Sequence, residues 1–150
     1  MLSNILIAFV IAIVVVSASI GIYYAITGKP PGAKVIQQSP PIPSESLGEN
    51  QAKFMFFYVT WCPHCKSAQQ PWRSFKEMLK NTHYTYGGKE IICEEINAES
   101  DKGKAALYKI EAYPTFKVET SDKVFEMQGK PSVESFRQFL VNALGAEKAI

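Results

Sequence analysis

Cys62 and Cys65 stand two residues apart in Trp61-Cys62-Pro63-His64-Cys65-Lys66, where an apolar run gives way to a helical pattern. Two thiols at this spacing on the start of a helix can form and break a disulfide reversibly. The unpaired amide N–H groups and the dipole of a first helical turn favour negative charge there. In such motifs the first sulfur ionises well below free cysteine, from about 8.5 down to roughly 3.5–7.5. The thiolate is the attacking species, so Cys62 is the expected nucleophile. Cys65, one turn along the same face, is placed to attack a mixed disulfide on Cys62 and release the substrate. Between them, Pro63 has no N–H and suits the first turn. His64 offers a donor, and a positive charge when protonated, beside the sulfur. Pro63 and His64 therefore tune the couple. Stabilising the thiolate stabilises the reduced form, which makes the pair a stronger oxidant than one with Gly-Pro between its cysteines, by about 1.4 kcal/mol per 30 mV.

Holding these thiols requires a buried strand before them and an amphipathic helix after them. Residues 53–59 (Lys-Phe-Met-Phe-Phe-Tyr-Val) are apolar, aromatic and branched, as a fully buried strand demands. From Pro63 to about Lys80, Ala68, Trp72, Phe75, Met78 and Leu79 recur at three- and four-residue intervals and form one apolar face. Residues 84–88 read as a turn, 90–97 as a second strand and 101–109 as a short helix. That order implies a right-handed crossover and parallel pairing. Residues 115–118 and 123–127 form a hairpin across Thr120-Ser121-Asp122, and Gly129-Lys130-Pro131 breaks the sheet. The last helix is capped by Ser132, carries Glu134 in its first turn, turns Val133, Phe136, Leu140 and Leu144 inward and ends at Gly145. The predicted class is α/β, a small mixed sheet with helices on both faces.

At 150 residues, 47% of them apolar, the chain has room for one domain and an addition. Residues 2–26 are almost unbroken Ile, Val, Ala, Leu and Phe, enough at 1.5 Å per residue to cross a hydrocarbon core of roughly 30 Å. A cleaved signal peptide is the rival, with Ser17-Ala18-Ser19 as its small-residue site. The run exceeds the roughly 7–15 residues of such a segment and no Lys or Arg precedes it, so a single-pass anchor is expected, with Tyr23 and Tyr24 at the interface. Lys29 and Lys34 favour a cytosolic domain, whereas disulfide chemistry favours an oxidising compartment, and the side stays open. Residues 28–50 are rich in Pro, Gly, Ser and Gln and read as an extended stand-off linker, with Val35-Ile36 as a candidate edge strand. The expected organisation is thus 1–27 anchor, 28–50 linker and 51–150 domain. A net charge of +2 without a basic, aromatic-interleaved block excludes a nucleic-acid partner.

The buried strand, Trp-Cys-x-x-Cys-Lys, helix, second strand and Ala112-Tyr113-Pro114-Thr115 before a hairpin together resemble the thioredoxin superfamily over about the last hundred residues. Residues 57–62 and 108–116 look most like the catalytic domains of protein disulfide isomerases, while Pro63-His64 matches the dipeptide of the periplasmic oxidant DsbA. This resemblance implies a thiol–disulfide oxidoreductase that needs no bound cofactor, acts on protein thiols and disulfides, and is recycled by a redox partner such as a flavin-dependent thiol oxidase or a membrane quinone reductase. It also implies that Pro114 is a cis-proline beside the cysteines and that Trp61, Tyr113 and Pro114 meet the substrate peptide. Three departures stand out. Phe56 occupies the place of the family's buried acid, six residues before the first cysteine. Pro71 comes one place later than the usual helix proline, and the linker leaves little room for the strand and helix that precede the core, which implies a trimmed fold.

The remaining candidates read as ordinary structure: Cys93 as a small buried residue of the second strand, His83 as a solvated loop residue, and Glu94-Glu95 and residues 99–104 as solvated charge. Two other classes compete with the enzyme. Cys62, Cys65 and His64 could carry Cu(I) or share a zinc site, although a second ligand pair is missing. The fold could also serve as a tethered binding module that presents Trp61 and Tyr113.

Overall fold

The computed structural model describes residues 2–27, 37–39 and 47–149, and the chain divides into two compact units, Met1–Lys34 and Val35–Ile150. In the first unit, α1 (Leu2–Thr27) is a 26-residue helix with no acidic or basic side chain in its terminal turns. Its described apolar side chains, Phe9 and Ile13 among them, are exposed, and the Ser17 and Ser19 hydroxyls donate back to the Val14 and Val15 carbonyls. Among the described residues, no helix is long and apolar enough to cross a membrane. Side chains of α1 are described only at 7, 9–19, 21 and 22, so the anchor expected over residues 2–26 extends beyond them, as do Tyr23 and Tyr24.

The second unit runs β1 (Gln37–Ser39), β2 (Gln51–Tyr58), α2 (Pro63–Thr82), β3 (Tyr84–Tyr86), β4 (Lys89–Asn97), α3 (Lys102–Leu107), β5 (Thr115–Glu119), β6 (Val124–Glu126), α4 (Val133–Leu144) and β7 (Glu147–Ala149). The described strands form one sheet in the order β1-β6-β5-β2-β4-β3-β7. β2 lies in its centre, parallel to β4 from Gln51↔Glu90 to Tyr58↔Asn97 and antiparallel to β5. A central strand is covered on both faces, which is why Phe54, Met55, Phe56 and Phe57 are all buried without alternation.

One face packs Phe54 and Phe56 against Ala68, Trp72 and Phe75 of α2 and Phe136, Phe139 and Leu140 of α4. The other places Met55 and Phe57 with Ile96, Tyr108 and Val124. Beside this second cluster the sheet is ionic. Glu94 pairs with Lys53 and Lys104, Lys117 pairs with Glu126 at 2.8 Å, and Tyr108 donates to the buried Glu119 carboxylate at 2.7 Å.

Several boundaries differ from expectation for identifiable reasons. The segment expected to be a turn contains β3, because Gly87 (φ 58°) and Gly88 (φ 77°) confine the turn to two residues and free Tyr84–Tyr86 to pair with β4. A Cβ on Gly87 would lie 1.9 Å from the Leu144 carbonyl oxygen, so this corner admits only glycine. β7 lies beyond the last expected element. Its Glu147 accepts from Arg137 at 2.8 and 3.1 Å and from Tyr86 at 3.0 Å, which ties the strand to α4 and β3. An edge strand pairs with β6 at Gln37–Ser39; Val35-Ile36, the candidate edge strand, lies outside the described residues with the rest of 28–36 and 40–46.

Candidate active site

β2 ends at Tyr58, and Val59, Thr60 and Trp61 carry the chain to Cys62, the residue that precedes the first turn of α2. Cys62 is extended (φ −79°, ψ 119°) and Pro63 follows at the first helical position, where a missing N–H costs nothing. No side chain caps this turn, so its amides remain available to charge on the Cys62 sulfur. The helix is held down by Ala68, Trp72 and Phe75 and runs through Pro71 without ending.

Cys62 is 7% exposed and Cys65 1%, and both are free thiols. They pack in an apolar cluster with Val59, Ala98 and Ala105, against which Tyr58, Ile110 and Tyr113 lie partly buried. The Cys62 thiol donates to the Tyr113 carbonyl (Sγ···O 3.7 Å), and the Tyr113–Pro114 peptide bond is cis, as the resemblance implied. Residues 51 positions apart thus meet at the nucleophile candidate. Trp61 is 69% exposed and stands at the rim rather than in the core, and the His64 side chain is exposed.

The two thiols are driven apart electrostatically. The backbone N–H of Cys65 is the largest influence on Cys62 and lowers it below an ordinary thiol, helped by the Cys65 thiol and the His64 N–H and opposed by burial. The His64 backbone N–H is thus one of the groups that lower Cys62. Cys65 is pushed up to about 11, first by burial and then by the neighbouring Cys62 charge, with the Val59 backbone opposing. The arrangement therefore makes Cys62 the more acidic of the two thiols and Cys65 the one that holds its proton.

Phe56 stacks on Phe116 (4.8 Å, 8° between planes), so the position expected to differ from the family is filled by an aromatic pair. Its β4 neighbour Glu95, expected as solvated charge, accepts from Trp72 Nε1 at 2.8 Å and from Lys76 and clamps α2 to the sheet. Cys93 is half-buried on β4, and burial pushes its thiol up to about 12. His83 is exposed and terminates α2 in the left-handed region (φ 46°). Glu99, also expected as solvated charge, is bonded to Thr60 beside Cys62. The parallel register gave the missing signal: Thr60 and Glu99 lie two residues past the paired ends Tyr58 and Asn97. Among the described residues, no cluster of three or more His, Cys, Asp or Glu side chains is placed to hold a metal ion.

Comparison with known proteins places this geometry in context. The family model described as Thioredoxin matches residues 44–142. Protein disulfide-isomerase 5-1 of Arabidopsis thaliana is 31% identical over 121 residues, 78% of this chain and 79% of its own length. Protein disulfide isomerase-like 5-1 of Oryza sativa subsp. japonica is 30% identical over 120 residues, covering 79% and 76%. Among solved structures, the J-Trx1 fragment of ERdj5 shares the fold at a TM-score of 0.53 and 19% identity, over 65% of this chain and 45% of the fragment. The first thioredoxin domain of mouse protein disulfide-isomerase A4 does so at 0.50 and 22%, over 64% and 62%.

Proposed function

The chain belongs to the thioredoxin family and is a thiol–disulfide oxidoreductase, and from that premise we propose that it oxidises or isomerises disulfides in protein substrates through Cys62 and Cys65, anchored to a membrane by residues 2–26. The observation that carries the catalytic part is Cys62 at the start of α2, its sulfur lowered by the first-turn amides, beside a buried Cys65 held as a thiol.

In the reducing direction, the Cys62 thiolate attacks one sulfur of a substrate disulfide. The Cys62–substrate bond forms, the substrate S–S bond breaks, and the departing substrate thiolate takes up a proton. Bonding consumes the charge on Cys62, which is one of the causes that hold Cys65 protonated. Cys65 then loses its proton and attacks Cys62 Sγ; the Cys62–Cys65 bond forms and the second substrate thiolate leaves. Oxidation is the reverse sequence. Isomerisation results when another thiol of the substrate attacks the mixed disulfide before Cys65 does. Trp61, Tyr113 and Pro114 line the approach to Cys62 and meet the peptide, while Pro63 and the His64 backbone poise the couple. The recycling partner restores the disulfide after oxidation of a substrate.

Support for the anchor comes from the sequence: residues 2–26 carry no charged residue and are numerous enough, at 1.5 Å per residue, to cover a hydrocarbon core of roughly 30 Å. Disulfide donation favours placing the domain on the oxidising side of the membrane, whereas Lys29 and Lys34 favour the cytosolic side. One experiment tests the direction of transfer and the anchoring together. The full chain, prepared in membranes, is equilibrated with glutathione buffers, assayed on a scrambled disulfide protein and extracted with alkaline carbonate. The expected outcome is a potential well above about −200 mV, reactivation of the substrate and retention in the membrane pellet. A potential near about −270 mV makes the protein a reductase, and release into the supernatant removes the anchor.

A further inference from the structure

We propose that Glu99 is a positioning residue of the active site: by accepting both the N–H and the hydroxyl of Thr60, it fixes the connection that sets Cys62 at the start of α2 and holds Trp61 outward. This rests on the proposed role of Cys62 as nucleophile.

The geometry follows from the register of the sheet. β2 and β4 run parallel to Tyr58↔Asn97, and the Ala98 N–H adds one last rung to the Tyr58 carbonyl at 2.9 Å. Beyond it the two chains diverge, one towards α2 and the other towards α3, and the backbone offers no further bond between them. The Glu99 side chain bridges that gap. Its Oε2 accepts from Thr60 N and from Thr60 Oγ1, each at 2.7 Å.

Thr60 is the pivot of a three-residue connection. Val59 on one side packs inward at 5% exposure, Trp61 on the other turns out at 69%, and Cys62 follows as the helix cap. A free Thr60 N–H would let this connection rotate, and the angle at which the Cys62 sulfur meets the His64 and Cys65 amides would rotate with it. Those amides act only at hydrogen-bond range and direction.

The anchor itself is braced. The Glu99 N–H donates to Asn97 Oδ1 at 2.9 Å, and the Asn97 carbonyl accepts from Ser100 N, Ser100 Oγ and Asp101 N at 3.2, 3.1 and 2.9 Å. Asp101 Oδ1 in turn caps α3 at Lys104 N, 2.9 Å away. Both Thr60 donors hold the Glu99 carboxyl below the usual carboxylate range, so the bonds are charge-assisted wherever the enzyme works. Among the described residues, no Lys, Arg or His forms an ion pair with Glu99, so Thr60 is what its charge meets.

The test compares Glu99→Ala, Glu99→Gln and Thr60→Val in the reduced full chain, reading Cys62 alkylation against pH, the redox potential and the thermal unfolding midpoint. Glu99→Ala is expected to displace the Cys62 titration by about one pH unit towards free cysteine, which slows alkylation by about tenfold at pH values below both transitions. The amide oxygen of Glu99→Gln accepts the same two bonds and keeps the rate within about twofold of the parent. Thr60→Val removes one donor of the two and gives a smaller shift of the same sign; it carries the test should Glu99→Ala fail to fold. A change in unfolding midpoint with no movement of the Cys62 titration or the potential would mean a structural role and overturn the proposal. So would equal shifts in Glu99→Ala and Glu99→Gln, since charge rather than position would then be responsible. If the parent Cys62 itself titrates as free cysteine, it is the assignment of the nucleophile that fails.

Discussion

Replacing Cys65 with serine is expected to leave the first exchange intact and halt the second, so that the enzyme accumulates as a mixed disulfide with its substrate. Cys62 still ionises, because the backbone N–H of residue 65, the largest cause of its acidity, survives the substitution. The serine hydroxyl cannot expel the substrate thiolate, and turnover falls by at least about a hundredfold, the scale on which one member of a coupled catalytic pair acts. Non-reducing electrophoresis of the variant mixed with a disulfide substrate should show a stable adduct that added thiol clears. Cys62→Ser should show no adduct and no turnover. The parent enzyme lies between these extremes. With Cys65 pushed up to about 11, only about one molecule in ten thousand carries that thiolate at pH 7 in the reduced state. In the mixed disulfide the Cys62 charge is gone but burial still raises Cys65, so resolution should accelerate as pH rises above neutrality. An adduct-free Cys65→Ser variant with normal turnover would remove Cys65 from the mechanism.

Phe54→Ala should be the most damaging substitution in the sheet, costing about 3–5 kcal/mol. Phe54 is fully buried and its ring lies 5.1–6.2 Å from those of Trp72, Phe75, Phe116, Phe136 and Phe139. It thereby binds β2, α2, α4 and β5 into one cluster. A domain of this size has about 5–15 kcal/mol in total, so the loss is a large part of its stability. The consequence reaches the active site, because Trp72 and Phe75 are what seat α2, and α2 presents the amides to Cys62. Urea denaturation measures the loss. Ile92→Ala, at a side chain 38% exposed on the neighbouring strand, is the control and should cost no more than about 1 kcal/mol. Equal losses in the two variants would contradict the packing described here.

What the sequence disclosed and what it concealed divide along a physical line. The central strand, α2 and α4 were legible because each carries a local signature: an apolar run, a helical apolar face, the Ser132 cap. The thiol pair was legible for the same reason, since the helix start that acidifies Cys62 is encoded within five residues. β3 and β7 were not, because each is defined by pairing with the other across some sixty residues and by a corner at Gly87 that a side chain would fill. Glu94, Glu95 and Glu99 read as solvent-facing charge since nothing nearby in sequence pairs with them. Their partners Lys53, Trp72, Lys76 and Thr60 arrive only through the sheet register and the packing of α2. The ring partner of Phe56, Phe116, belongs to β5 and was invisible before the strands were aligned.

The central claim is that the start of α2 makes Cys62 acidic while its neighbour stays protonated, and the ultraviolet absorbance of the reduced protein's thiolates against pH tests it most directly. A Cys62→Ser variant assigns the transitions. Cys62 should ionise below an ordinary thiol, and Cys65 only near 11. The acidic transition should vanish in Cys62→Ser. By linkage, lowering the folded-state value below the unfolded one means that the stability gained by the reduced form is present at higher pH and is lost as pH falls through the Cys62 transition. Urea unfolding of the reduced protein should follow that curve up to about pH 8.5, where unfolded thiols ionise; above it Cys65, raised to about 11, contributes with the opposite sign and stability falls. Ionisation of both thiols together, at the value of free cysteine, would contradict the account.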